Sequence, residues 1–375
     1  MFTTLPKKLW IINKEANWAL IDQSVVSGFN FLFSILLANY LGLKLFGVFS
    51  LIWMIVLLLN NIQVAAVIQP LMTLSAKYQK HKDNFYTCIL LFHIIFLIFT
   101  LALSLLVHYL LMALEVGWYV EMPITLILAV LVLFQTQDLL RRYYFAEAQQ
   151  VNSFISDIIT YGGRILILMA VNYLYGLDIE TTLLIISSSS LLGCFIALKH
   201  HPIISLNKNV TYHISRDILN VSKWLVPSSL VQWFSGQIYF LVAGILLGPV
   251  SVGALKAGQS VIGVTNILFQ AMENFAAKGA SIAYQYEGYA SLNNYLKRIS
   301  IYGGSITVAV CVALIISSDQ IYSLIFREEY HEYSWIISWL GVTSIFIFFS
   351  FPLSIGLRTL NKSSLIFKFN LILGL

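Results

Sequence analysis

The apolar residues of this chain are grouped into long runs, and this pattern restricts the fold more than any other feature of the sequence. Runs of about 20 residues match the length at which a helix, rising roughly 1.5 Å per residue, crosses about 30 Å of hydrocarbon. Charged residues make up 10% of the chain, whereas they make up about 25% of a soluble domain. Because lipid offers backbone polar groups no partner outside the segment, each run must be helical. The sequence therefore predicts an all-α polytopic membrane protein.

The apolar runs predict membrane spans at residues 17–40, 46–68, 85–112, 122–140, 153–175, 180–198, 222–246, 252–275, 298–318 and 333–357. A further run, Leu365–Leu375, is too short to cross a bilayer. We therefore expect the natural protein to continue beyond Leu375. No small-residue cleavage site follows a short apolar stretch near the N-terminus, so a cleaved signal peptide is not expected.

The basic residues indicate how the spans are oriented. If the N-terminus is cytoplasmic, 18 of the 22 lysines and arginines are on the cytoplasmic side. Lys44 and Arg327 fall on the other side, and Arg164 and Lys256 lie within spans. The opposite loops carry acidic residues such as Glu115, Asp178 and Glu328. We therefore predict a multi-pass protein of the inner or plasma membrane with a cytoplasmic N-terminus. This asymmetry explains the net charge of +5 without a nucleic-acid partner.

Residues recur at a constant spacing of 206 positions along the chain. The matched pairs include Trp18 with Trp224, Gly42 with Gly248, Gly47 with Gly253, Tyr78 with Tyr284 and Gln79 with Gln285. We expect the glycines to form tight turns between paired spans, since glycine tolerates positive φ. The spacing covers an even number of spans, so both halves enter the membrane in the same orientation. The sequence predicts two pseudo-symmetric six-helix lobes around a central cavity. The first lobe is residues 1–200, a cytoplasmic linker covers 201–221, and the second lobe, residues 222–375, is incomplete.

Polar residues form stripes on several predicted spans. In the eighth span, five polar residues and one glycine recur three or four residues apart, which places them on one helical face. They are Lys256, Gln259, Gly263, Asn266, Gln270 and Glu273. The first, second and seventh spans add Gln23, Ser27, Asn30, Ser34, Asn60, Asn61, Gln63 and Gln232. We predict that these faces line the central cavity. The alternative for each residue is a hydrogen bond across packed helices, worth about 0.6 to 2 kcal/mol.

Arg164, Lys256 and Asp22 are candidates for phosphate binding or ion coupling. Arg164 lies near the middle of the fifth span, where an unpaired arginine costs about 2.5 to 3.5 kcal/mol, so we expect another helix or water to satisfy it. Its role is either a structural bridge or a part in substrate binding or coupling. Asp22 either pairs with Lys14 or titrates in the cavity.

Two further features have simpler interpretations. Asp138 precedes Arg141 and Arg142 by three and four residues, the spacing of an ordinary interfacial ion pair. The three cysteines lie in apolar runs, where we expect them to serve as packing residues.

Several motifs that would indicate an enzyme are missing from the sequence. It has no Gly-x-x-x-x-Gly-Lys-Ser/Thr loop to hold nucleotide phosphates, no Gly-x-Gly-x-x-Gly stretch and no His-Glu-x-x-His metal motif. We therefore predict a transporter without catalytic residues, metal or cofactor.

Two segments carry a resemblance to a known family. The segment Leu41–Ser50, with its glycines at 42 and 47, recurs as Leu247–Gly248–Pro249 with Gly253 and resembles the first hairpin of each lobe in bacterial polysaccharide flippases. These are the O-antigen and capsule repeat-unit exporters of the MOP superfamily. The segment Arg141–Ala148 is similar to that family's link between the fourth and fifth helices.

The resemblance implies a flippase that works by alternating access. Its cargo would be an undecaprenyl-diphosphate-linked oligosaccharide, carried from the inner to the outer leaflet for O-antigen, lipopolysaccharide, capsule or exopolysaccharide synthesis. Implied partners are this lipid-linked oligosaccharide, membrane lipid, and the polysaccharide polymerase and chain-length regulator. Lys256 and Arg164 would supply the positive charge that a diphosphate needs.

Two alternatives stay open. A MATE-like cation-coupled multidrug antiporter shares the expected fold and would use a membrane carboxylate such as Asp22 for coupling. A membrane scaffold that transports nothing is the other.

Overall fold

The computed structural model describes residues 14–115, 123–147, 149–197 and 208–360. All regular structure in these ranges is helical, which confirms the predicted fold class. The first helices are α1 (Lys14–Gln63), α2 (Gln69–Leu74), α3 (Lys82–Ala113), α4 (Ile124–Ala146), α5 (Gln150–Asp157), α6 (Gly163–Tyr175) and α7 (Ile179–Ala197). They are followed by α8 (Lys208–Leu247), α9 (Pro249–Ile262), α10 (Val264–Ile316), α11 (Ser318–Ile325) and α12 (Trp335–Thr359).

Eight segments of the described residues are long and apolar enough to cross a membrane, so the chain is a multi-pass membrane protein. The first segment, Ile21–Leu74, covers most of the first predicted span and all of the second. The eighth predicted span differs from expectation because α9 ends at Ile262 and α10 starts at Val264. Gly263 separates them, as its low helix propensity allows, although its N–H still bonds the Gln259 carbonyl at 2.9 Å. The eleventh predicted run, Leu365–Leu375, lies outside the described residues.

The described residues form two compact units. Unit 1 contains those up to Phe33 and those from Ile52 to Trp233. Unit 2 contains those from Ser34 to Leu51 and those from Phe234 onward. These units are defined by mutual contact, and the predicted lobe boundaries stay a prediction.

In unit 2, the repeated glycines have two different roles. Gly42 and Gly248 turn the chain with φ values of 76° and 83°, which confirms the predicted turns. Gly47 and Gly253 instead permit close packing, because a Cβ on Gly47 would lie 1.8 Å from the Pro249 carbonyl oxygen and one on Gly253 would lie 2.3 Å from the Leu43 carbonyl oxygen. Leu43 and Pro249 are themselves a matched pair of the repeat. The contact is therefore symmetric, and a turn at Gly47 or Gly253 was the wrong prediction.

The first turn of unit 2 is also tied to the segment between α11 and α12. Glu329 accepts the Leu43 backbone N–H at 3.0 Å, and Asn39 donates to the Ile325 carbonyl at 2.7 Å. The buried Tyr330 hydroxyl donates to the Ala38 carbonyl at 2.9 Å. Burial, with a smaller contribution from Glu329, raises the pKa of Tyr330, which keeps this hydroxyl a donor.

Unit 1 is held by an apolar core and by polar bonds between helices. Asn61 donates to the Ser229 carbonyl at 3.0 Å, and Ser222 donates to the Ala66 carbonyl at 2.7 Å, so α1 and the π-helix that follows it (Val64–Ile68) pack on α8. The turn before α3 is anchored by Lys77 and Tyr78, which both bond Asp217. Burial and this hydrogen bond raise the pKa of Tyr78 to about 12.

The three cysteines, Cys88, Cys194 and Cys311, are free and buried, as expected for packing residues.

Candidate functional site

A cluster of buried charges joins three helices of unit 1. Arg141 on α4 bonds Asp22 on α1 through Nη2 at 2.9 Å, and its Nε bonds Asp157 on α5. All three side chains are at most 5% exposed. When both carboxylates are ionised, the three residues together carry one uncompensated negative charge. Such a group can hold a proton or a monovalent cation.

The surroundings of the cluster leave part of it without a partner. Asp22 Oδ1 is buried and has no hydrogen-bond partner among the described residues. Gln137 donates to Asp157 at 3.4 Å, and its own Oε1 is likewise without a partner in this part of the chain. The cluster therefore contains a buried carboxylate oxygen that the described residues leave without a hydrogen bond.

The structure corrects part of the predicted pairing on α4. Asp138 pairs with Arg142 at 3.5 Å, as the spacing predicted. Arg141 does not pair with Asp138, because it turns to Asp22 and Asp157 in the interior. Asp22 thus has Arg141 as its partner, and the side chain of Lys14 lies outside the described residues. Sequence reasoning missed this cluster.

Arg164, on α6 of unit 1, is 2% exposed and is satisfied by another helix, as expected. Its Nε donates to Ser189 Oγ at 2.9 Å and its Nη2 to Ser190 Oγ at 3.3 Å, both on α7. Its guanidinium carbon lies 5.6 Å from the centre of the Phe33 ring and 5.2 Å from that of Tyr161. The arginine is enclosed by hydroxyls and aromatic faces, an arrangement typical of a structural bridge.

Lys256, on α9 of unit 2, has a different environment. Its ammonium lies 2.9 Å from Gln259 Oε1, 3.4 Å from Gln237 Oε1, and 3.8 Å from the centre of the Phe240 ring. None of the ion pairs in the described part of the chain includes Lys256. Its partners among the described residues are therefore neutral, and no carboxylate of these residues pairs with its charge.

Hydroxyl groups lie next to this lysine. Ser260 Oγ donates to the Lys256 backbone carbonyl at 2.9 Å, and it lies 2.7 Å from Ser34 Oγ. The Lys256 group, which we define as Ser34, Gln237, Lys256, Gln259 and Ser260, combines one cation with amides and hydroxyls. These are the groups that hydrogen-bond sugars and phosphates.

The other predicted cavity residues fall into three sets. Gln23, Asn30 and Gln232 are exposed and Ser27 is half-buried, all in unit 1. Asn60 and Asn61 bond to neighbouring helices at Asp138 and Ser229, the arrangement that the packing alternative describes. The side chains of Asn266, Gln270 and Glu273, on α10, lie outside the described residues.

Comparisons with known proteins give a family match and fold matches. A family model described as polysaccharide biosynthesis protein matches residues 12–276. Comparison with curated protein sequences gives no match.

The solved structures that match include MATE transporters. An inward-facing multidrug resistance MATE family transporter of the MOP superfamily is 14% identical, with a TM-score of 0.64 over 95% of this chain and 83% of that chain. An outward-facing structure of such a transporter is 16% identical, with a TM-score of 0.60 over 100% and 88%. A eukaryotic MATE transporter is 14% identical, with a TM-score of 0.57 over 94% and 84%. At these identities the likeness establishes a MATE-like fold, with which the predicted two-lobe arrangement is consistent.

Proposed function

The chain belongs to the polysaccharide biosynthesis protein family and has a MATE-like transporter fold, and from this premise we propose that it is a flippase for lipid-linked oligosaccharides. It moves a polyprenyl-diphosphate-linked repeat unit from the inner to the outer leaflet of the bacterial inner membrane, with its N-terminus in the cytoplasm. It acts as a transporter and not as an enzyme. The polymerase and chain-length regulator of the same pathway are its proposed partners.

The observation that carries this proposal is the environment of Lys256. A half-buried ammonium whose described partners are neutral is poised to bind an anion, because the anion supplies a countercharge. The amides of Gln237 and Gln259 and the hydroxyls of Ser34 and Ser260 add hydrogen-bonding groups beside it. A sugar diphosphate needs both kinds of contact. The Lys256 group is therefore our proposed headgroup site.

The same charges weigh against a drug antiporter. A carrier of organic cations needs a carboxylate that can face its cargo. Asp22 and Asp157 are fully buried and occupied by Arg141, whereas the charged member of the Lys256 group is a cation. This distribution of charge favours an anionic cargo.

We assign ion coupling to the Arg141 cluster. Protonation or cation binding there removes the one uncompensated negative charge, so it changes the electrostatic energy of three helices at once. A gradient of that ion can then bias the conformational equilibrium.

The headgroup site is tested by Lys256→Ala and Lys256→Arg. Both variants are expressed in a strain that lacks its own flippase, and polysaccharide at the cell surface is measured beside the membrane level of each protein. We expect Lys256→Ala to reduce display at least tenfold and Lys256→Arg to retain much of it, because arginine keeps the charge. Lys223→Ala, at an exposed lysine of α8, is the matched control and should display normally. Normal display by a normally inserted Lys256→Ala protein would remove this lysine from the mechanism.

The coupling assignment is tested by Asp22→Asn in proteoliposomes with a fluorescent polyprenyl-diphosphate oligosaccharide. The asparagine keeps the shape of the side chain and removes the charge that a proton or cation would neutralise. We expect gradient-driven accumulation to fall at least tenfold while equilibration without a gradient persists. Unchanged accumulation would place the coupling elsewhere.

A further inference from the structure

Two levels of polar side chains bridge α1 and α4 inside unit 1. Asn60 Nδ2 donates to Asp138 Oδ2 at 3.5 Å, and three residues later Gln63 Nε2 donates to the Gln135 carbonyl at 2.8 Å. Gln135 precedes Asp138 by three residues, so the two helices meet in antiparallel register. The levels lie about 4.5 Å apart along the helix axis. Gln135 and Asp138, three residues apart, share one face of α4, and Asn60 and Gln63 meet that face from α1.

Several polar atoms in this region have no protein partner among the described residues. They are Asn60 Oδ1, Gln63 Oε1, Gln135 Oε1 and Gln135 Nε2. Gln63 and Gln135 are both 0% exposed, so their side chains contact neither lipid nor bulk water. Native proteins satisfy such buried atoms with ordered water when the site is polar. Simple helix packing does not account for the Gln135 side chain, which has no partner among the described residues, or for the unpaired oxygens of Asn60 and Gln63.

His93, on α3, bounds this region on one side. The bond to the Gln135 carbonyl fixes Gln63 Nε2 as a donor, so His93 Nδ1, at 3.3 Å, is an acceptor. The proton of the neutral ring is then on Nε2, which lies 3.2 Å from Thr136 Oγ1. A π-helix begins directly after Gln63, a feature often found at functional sites. The region thus runs from neutral His93 to ionisable Asp138.

We propose that Asn60, Gln63, Gln135 and Asp138 enclose a hydrated pocket whose ordered waters form a proton route through unit 1 towards the Arg141 cluster. Water is favoured over a bound cation because Gln135 Nε2 is a donor, which a cation cannot satisfy. A proton passes along the waters by exchange between neighbouring oxygens, so no side chain of the pocket changes its charge overall. The route rests on the proposed coupling at Asp22, whereas the hydration of the pocket does not.

Hydration is tested by water-edited solid-state NMR on protein whose 7 histidines carry ¹⁵N, in lipid bilayers. The difference spectrum of His93→Gln assigns the His93 signal. We expect His93 to receive magnetisation from water at a rate comparable to that of exposed His81. Gln135→Leu fills the pocket with apolar surface, so it should slow the transfer to His93 at least fivefold. Gln79→Leu, at an exposed glutamine, is the matched control and should change nothing.

The outcomes separate this inference from the proposed function. A wild-type His93 that receives no water magnetisation overturns it, and this result does not depend on whether Gln135→Leu folds. A His93 signal that responds to replacing sodium by choline would identify a cation site in the pocket and would also overturn it. In proteoliposomes with the fluorescent oligosaccharide, Gln135→Leu should slow proton-driven transport at least tenfold and leave equilibration without a gradient unchanged. If the wild type carries no oligosaccharide, the flippase proposal fails while the NMR result stands.

Discussion

Charged side chains in the interior of unit 1 and of unit 2 have different kinds of partner. In unit 1, Arg141 bonds two carboxylates and Arg164 is covered by serine hydroxyls and aromatic rings. In unit 2, Lys256 is balanced by amides and the face of Phe240. Removing one partner of a buried ion pair exposes the other charge to an apolar interior, whereas removing a cation with neutral partners leaves no charge behind. Removing the cation should therefore lower stability in unit 1 and impair transport in unit 2.

The largest effect is expected for Arg141→Met. The substitution leaves Asp22 and Asp157 buried without their cation, so we expect the free energy of unfolding to fall by about 3–5 kcal/mol. The measurement is denaturant or thermal unfolding of the purified protein in detergent, with membrane levels recorded in parallel. Arg142→Met is the matched control, since the Arg142 side chain is 37% exposed and its pair with Asp138 should contribute about 1 kcal/mol or less.

Two further variants test the comparison itself. Adding Asp22→Asn and Asp157→Asn to Arg141→Met removes the stranded charges, and stability should recover in large part. Lys256→Met should leave stability nearly unchanged, because no carboxylate loses its partner. Equal losses of stability for Arg141→Met and Lys256→Met would abolish the distinction between the two units.

Local spacing explains which charged contacts were predictable from the sequence. The pair of Asp138 and Arg142 follows from a separation of four residues on one helix. Arg141 and Asp22 are 119 positions apart, and nothing in the sequence indicates which of two neighbouring arginines turns inward. The cost of burying Arg164 predicted that it has a partner, but the identity of Ser189 and Ser190 depends on how α6 packs on α7.

In the repeat too, some features were predictable from the sequence and others depend on contacts between distant segments. Its spacing predicted the turns at Gly42 and Gly248, because a glycine at a helix break has a known conformational use. The role of Gly47 and Gly253 depends on a contact between two copies of the hairpin, which a single copy does not reveal. In the same way, the polar stripes identified Lys256 and Gln259 but not Gln237 and Phe240, which reach the lysine from α8.

An intermediate effect is expected for Gly47→Ala and Gly253→Ala in unit 2. A methyl group at either position would meet a backbone carbonyl, at 1.8 Å and 2.3 Å, and a backbone cannot rotate away as a side chain can. We expect each to lower the free energy of unfolding by about 1–3 kcal/mol. Gly163→Ala is the control, because it lies in a helix with nothing within 4 Å of the added carbon, so it should be neutral or slightly stabilising. Tolerance of both alanines would show that the symmetric contact does not hold the hairpins together.

The smallest effect is expected at the exposed end of unit 2, for Glu329→Gln. The glutamine keeps an acceptor oxygen for the Leu43 N–H, so the substitution removes the charge of the hydrogen bond and not the bond itself. A hydrogen bond to a charged group is worth about 0.5–1.5 kcal/mol more than a neutral one, and exposure reduces that difference, so we expect a loss of about 0.5 kcal/mol. Glu328→Gln, at the exposed neighbouring position, should cost nothing and serves as the control in the same unfolding measurement. Because the loss in Glu329→Gln is electrostatic, it should shrink further in high salt. A loss as large as that of Arg141→Met would mean that surface charge stabilises unit 2 as strongly as buried charge stabilises unit 1, which contradicts the contrast between the two.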